Sequence, residues 1–214
     1  MSAKNAKNIK KQKRKDWIKG ILLIVVLFAI AGLVLYGYGY IMRNKNDIVN
    51  STTVYDSIEK YGYTLNDDVT DYYKQEFDKL KTIENEKDIA TQVAKLFVID
   101  LYSINYKINK YEITSTQYFY SDKRDMHRQK VLDTIYRYVE DNSYGDRNQE
   151  LPEVSEVIVK EEKEDKYKMG DEKKDAYIVT LGISYVKDLE YDKLAEVILV
   201  KDGNNYSVVS YDAM

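Results

Sequence analysis

The 214 residues contain no cysteine, one proline and one histidine. Without cysteine there can be no disulfide, no zinc thiolate, no thiol nucleophile and no lipid attached at a lipobox. A single histidine, His127 in "DMHRQK", leaves a His-based triad or a multi-histidine metal centre without its parts, and no G-x-S-x-G elbow accompanies it. It reads as an exposed helix histidine. No G-x-x-x-x-G-K-[ST] loop and no G-x-G-x-x-G turn is present to cradle a phosphate. The acidic groups Asp67–Asp68 and Glu161, Glu162, Glu164 and Asp165 lack the spacing of a calcium loop. No catalytic residue, cofactor or metal is therefore expected. One proline and nine glycines also argue against a disordered chain.

The conspicuous feature is a run of 22 residues without a charge, Ile21 to Met42. As a helix, at about 1.5 Å per residue, it would span roughly 33 Å, enough to cross a bilayer core. A secretory signal has a shorter apolar stretch of about 7–15 residues followed by a small-residue cleavage site. Here no A-x-A site follows, so the run is expected to stay as an anchor. Trp17 at one end and Tyr36, Tyr38 and Tyr40 at the other suit the two headgroup interfaces. The positive-inside rule sets the orientation, because Lys10, Lys11, Lys13, Arg14, Lys15 and Lys19 precede the run while only Arg43 and Lys45 follow closely. The expected organisation is a basic cytoplasmic tail at 1–20, a transmembrane helix at 21–42, a stalk with a short helix at 43–65, and an extracytoplasmic α+β domain at 66–214.

The net charge of −3 conceals an asymmetry. Residues 1–20 carry a net +7, which leaves 43–214 with 25 basic and 35 acidic residues, a net −10. Such a domain is repelled by nucleic-acid phosphates, so nucleic acid is not an expected partner. The expected partners are the membrane, other envelope proteins and a second copy of the chain.

Beyond residue 66 the pattern changes once, from helical to strand periodicity. Val69, Tyr73, Phe77 and Leu80 share a helical face, and a second helix carries Ile89 through Ile108 as the central core element. "EITSTQYFYSD" reads as a short strand or a turn. A further helix from about Asp122 carries Leu132, Ile135, Tyr136 and Val139. After Pro152, "VSEVIVKEE", "AYIVTLGISYV", "KLAEVILVK" and "NYSVVSY" alternate with period two, and Tyr177, Val179, Leu181, Ile183 and Tyr185 form one buried face. "KDGNNY" supplies hairpin-turn chemistry, and "KEEKEDKYKMGDEKKD" reads as a charged, flexible hairpin tip. Helices followed by a four-strand meander specify an α+β domain with helices packed on an antiparallel sheet.

This layout resembles the nuclear-transport-factor-like (cystatin-like) superfamily, which implies a curved sheet wrapped around helices. With its basic tail and single span, the chain is also similar to the bitopic assembly proteins of type IV secretion, and of Gram-positive conjugation in particular. That resemblance implies a non-enzymatic scaffold in an envelope complex. Two other roles stay open, a small-ligand-binding or sensing module with its ligand between sheet and helices, and an envelope enzyme using a pocket carboxylate or tyrosine. Tyrosine is abundant, 22 residues of which 19 lie beyond the uncharged run. Because tyrosine combines apolar area with a polar tip, Tyr118, Tyr120 and Tyr138 are candidate interface residues.

Overall fold

A computed structural model describes residues 54–213. The basic tail, the 22-residue uncharged run and its flanking aromatics lie outside the described residues. No helix among the described residues is long and apolar enough to cross a membrane. The chain begins with a two-stranded antiparallel hairpin, β1 (Val54–Ile58) and β2 (Tyr63–Asn66). Helices α1 (Asp71–Leu80), α2 (Glu86–Tyr102) and α3 (Arg124–Asp133) follow, with 3-10 turns at Ile104–Tyr106, Thr114–Tyr118 and Ser121–Lys123. The chain ends in a four-stranded antiparallel meander, β3 (Val154–Met169), β4 (Glu172–Tyr185), β5 (Leu194–Asp202) and β6 (Asn205–Ala213), in the order β3-β4-β5-β6. The α+β class and the antiparallel four-stranded sheet match the sequence reading.

The helices have local causes. Thr70 caps α1 by accepting the Tyr73 N–H at 2.9 Å, and Asn85 caps α2 by accepting from Lys87 and Asp88. Tyr73, Phe77 and Leu80 form the buried stripe of α1. Helix α2 is buried nearly all round, from Ile89 to Tyr102, and it packs between α1 and the sheet. From β4 it meets Val179, Leu181 and Ile183, which alternate along the strand as expected and belong to the same core as Val93 and Phe97.

Four expectations need correction. Residues 54–65 hold a hairpin rather than a short helix. The chain makes one helical turn at Ile58–Gly62, with Tyr61 and Gly62 N–H groups on the Ile58 carbonyl, and Gly62 closes it at φ +68°. That local signature also ends a helix. The alternation of buried Tyr61, Tyr63 and Leu65 is what makes the segment a strand. Second, α2 ends at Tyr102, short of Ile108, because Asn105 N–H bonds the Pro152 carbonyl and Ser103 Oγ accepts the Val154 N–H. Third, α3 ends at Asp133. There Thr134 Oγ bonds the Lys130 carbonyl, and Tyr136 turns inward to donate its hydroxyl to the Leu101 carbonyl at 3.1 Å.

The fourth correction concerns the charged segment. "KEEKEDKYKMGDEKKD" is not a loop, because β3 runs to Met169 and β4 starts at Glu172 around the two residues Gly170 and Asp171. Gly170, at φ +60°, takes the first loop position. One cross-strand pair there is of opposite sign, Lys166 facing Asp175 and forming an ion pair with it, although Lys168 faces Lys173 nearer the turn. The "EITSTQYFYSD" segment resolves mainly as turns. At its end Phe119 and Tyr120 run beside β6, with Tyr120 N–H on the Val208 carbonyl. Phe119 enters the main core, and Tyr120 covers a small apolar cluster of Ala176, Val200 and Val209.

Candidate functional site

A cavity of about 210 Å³ opens where β2, the start of α1, the end of α2 and the 106–117 segment meet. Its walls carry Thr64, Asn66, Asp68, Asp100, Lys107 and Glu112 among others. None of the lining residues comes from β3–β6, so this is not the hollow between sheet and helices where the alternative ligand-binding role would place its ligand. That space holds packed side chains of the core, Phe97 and Leu181 among them.

Asp100 and Lys107 organise the inner wall. Both are buried, and Lys107 Nζ donates to Asp100 Oδ1 at 2.5 Å. Lys107 also donates to Thr114 Oγ, whose hydroxyl in turn donates to the same Asp100 oxygen, each at 2.6 Å. The second carboxylate oxygen, Oδ2, is enclosed away from water, and the Tyr73 hydroxyl lies close enough to the Asp100 side chain to interact with it. Nearby, the hydroxyls of Tyr73 and Tyr118 bond each other at 2.8 Å. Burial and then the Asp100 charge hold both phenols protonated, well above the ordinary tyrosine value. Glu112 anchors one oxygen on the Ile108 N–H at 2.7 Å. Burial pushes its carboxyl above the usual range, against the pull of Lys107.

Glu76 makes a useful contrast. It is equally enclosed, and burial works against its charge, yet hydrogen bonds from Lys79, Lys95 and Gln92 outweigh that cost and keep its carboxyl below the usual range. Glu76 is thus fully paired and ties α1 to α2. Asp100 has its one charged partner, Lys107, on a single oxygen.

The three proposed interface tyrosines have different positions. Tyr118 is fully buried against Tyr63, ring centroids 4.8 Å apart, so it is core and not surface. Tyr120 is half-buried, and Lys174 donates to its hydroxyl at 3.1 Å. Only Tyr138 is open, 74% exposed. The topology and membrane-interface residues, from Lys10 to Tyr40, lie outside the described residues. Among those described, no cluster of three His, Cys, Asp or Glu side chains could hold a metal.

His127 also needs correction, since it is buried rather than exposed. Its ring stacks on Phe119 with centroids 4.0 Å apart and planes at 8°, and Ser115 Oγ lies 3.2 Å from Nε2. Burial, with a smaller contribution from Lys130, lowers its pKa from 6.5 to about 4. The folded state therefore favours the neutral ring, and the unfolded chain takes up a proton first. His127 should contribute full stability above pH 6.5, and about 3 kcal/mol should be lost as pH falls from 6.5 towards 4. Urea denaturation across that range should show a shallower acid loss for His127→Phe than for wild type. Parallel curves would mean that the ring is not held neutral by burial.

Sequence reading missed Asp100, Lys107, Glu112 and Thr114 as a group. The available signal was a charge within an otherwise apolar helix, since Asp100 interrupts the run from Leu96 to Leu101. No protein-family model matches the chain, and no curated protein or solved structure matches it.

Proposed function

We propose that this chain is a single-pass membrane protein with its N-terminus in the cytoplasm, whose extracytoplasmic domain acts by binding, as a non-enzymatic scaffold of an envelope complex. The observation that carries the reading is the 22-residue uncharged run behind a tail of net +7, followed by a domain of net −10. The described domain supports it with a core of its own. Its order of helices before a four-strand meander fits the nuclear-transport-factor-like resemblance, and with it a part in a conjugation or type IV secretion-like apparatus. Tyr111, Met126, Tyr138 and Tyr144 are exposed large apolar side chains and are offered as contacts for a partner. All four come from one stretch, which Arg128 and Arg147 pin by donating to the carbonyls of Tyr111 and Lys107.

Protease added outside intact protoplasts should digest the C-terminal domain and spare the basic tail. Carbonate washing should leave the chain in the membrane. In detergent extracts, replacing Tyr138 and Tyr144 together by alanine should weaken partner capture about tenfold or more, with the fold unchanged by circular dichroism. A domain protected from external protease, or a chain released by carbonate, would overturn the anchored reading.

A second reading, a small-ligand-binding or sensing module, is favoured by one observation, the polar cavity beside Asp100.

A further inference from the structure

We propose that Lys107 and Asp100 condense into an intramolecular amide, Nζ to Cγ with loss of one water, and that the Thr114 hydroxyl relays a proton in that step.

No other described ion pair is as enclosed. The two side chains keep 5% and 1% of their surface, whereas the lysine of the next most enclosed pair, Lys95–Glu76, keeps 15%. The reacting atoms are also close. Nζ lies 2.5 Å from Oδ1, and a carbon–oxygen bond is about 1.2 Å, so Nζ stands less than roughly 3.8 Å from Cγ. A near-attack arrangement has its atoms roughly 3–3.5 Å apart, and holding two reactants there turns a bimolecular encounter into a unimolecular step. The carboxyl has only to turn about its Cβ–Cγ bond to present its face to the nitrogen.

Thr114 completes the arrangement. Its Oγ accepts from Nζ and its hydroxyl donates to Oδ1, each at 2.6 Å. The nitrogen that must lose protons and the oxygen that must gain them are thus joined twice, directly and through one hydroxyl. One proton passes directly from Nζ to Oδ1, leaving a neutral amine beside a neutral acid. The amine lone pair attacks Cγ, and the Nζ–Cγ bond forms while negative charge develops on Oδ2. The Tyr73 hydroxyl, close to the Asp100 side chain, is placed to donate to that charge. A second proton leaves Nζ for Thr114 Oγ as the threonine's own proton moves to Oδ1. The Cγ–Oδ1 bond breaks, Oδ1 departs as water, and one hydrogen stays on the amide nitrogen. No oxidant or other reactant is consumed.

Burial favours the product. Each charge of an enclosed pair carries a desolvation cost, and the amide carries neither charge. Asp100, Lys107 and Thr114 all line the cavity, which gives the released water a way out. The amide would clip the end of α2 to the segment that folds back over it, in a chain with no cysteine to form a disulfide.

The test is mass spectrometry of the full-length chain, purified in detergent and digested with trypsin, which does not cut after an acylated lysine. The cross-linked chain should give a peptide 96–110 that is uncut after Lys107, one water lighter than its sequence, and without backbone fragment ions from within 100–107. Asp100→Asn should reach the same final peptide mass by losing ammonia in place of water. Thr114→Val should slow accumulation of the cross-link after synthesis about a hundredfold or more, and Thr114→Ser should restore it. A wild-type peptide 96–107 at its full sequence mass would overturn the proposal, and this result stands even if every variant fails to fold. Water loss that maps elsewhere, as to Asp202–Gly203, would overturn it equally. Undiminished cross-linking in Thr114→Val would overturn the relay.

Discussion

Asp100→Ala is expected to destabilise the domain by about 3–5 kcal/mol, because it leaves the Lys107 ammonium buried without its counter-charge. Thr114 would remain as a hydrogen-bond partner and Glu112 as a carboxylate without a direct bond to Lys107, neither of which replaces the direct ion pair. Urea denaturation should show a lower midpoint with little change in slope. Adding Lys107→Met should recover much of the loss, since a buried pair replaced by apolar groups is often close to neutral. A cost below about 1 kcal/mol for the single change would mean that water reaches Lys107 and that the pair is not truly enclosed. The contrast is with Lys187–Glu150 and Lys193–Asp188, ion pairs that water screens and whose loss should hardly register.

Phe97→Ala is expected to cost about 3–5 kcal/mol for a different reason. Phe97 is fully buried on α2, at the point where the helix meets α3, the 119 segment and β6. Its ring lies 5.1 Å from Tyr211, 5.5 Å from Phe119 and 5.6 Å from His127, centroid to centroid. Truncation removes transfer free energy and leaves a void bordered by stiff rings that cannot collapse into it. Thermal unfolding of Phe97→Ala beside Phe97→Leu should separate the two contributions, with leucine recovering a substantial part. If alanine costs no more than leucine, the aromatic cluster repacks and is not a fixed joint between helix and sheet. The same cluster changes what a His127 substitution tests. His127→Ala would open a void under Phe119, so any functional loss has to be read against the loss of stability.

The elements that were legible share one property, that neighbours in the chain carry the signal. The stripe Tyr73, Phe77 and Leu80 announces α1, and the alternation from Tyr177 to Ile183 announces β4. The turn at Gly203, φ +63°, is written in "KDGNNY". The hairpin at 54–66 was less legible because its loop copies a helix terminus. Choosing between them needs the burial of Tyr61, Tyr63 and Leu65, which depends on what they pack against. The charged arms of β3 and β4 were illegible as strands because their stabilising partners lie across the sheet, as Lys166 and Asp175 do.

Taken alone, the chain's order of residues determined the class of the domain, the antiparallel meander, the core face of β4 and the charge asymmetry between tail and domain. These depend on composition and on periodicity over a few residues. Only the tertiary structure decided which charges and rings are enclosed. Asp100 and Lys107 look like interruptions of an apolar run until the 104–118 segment folds back over the end of α2. Tyr118 and Tyr138 look alike in sequence, yet one is core and the other open to solvent. The physical reason is common to all of these: burial is a property of contacts made by distant segments, and a side chain's charge, pairing and reach change with burial far more than with its immediate neighbours.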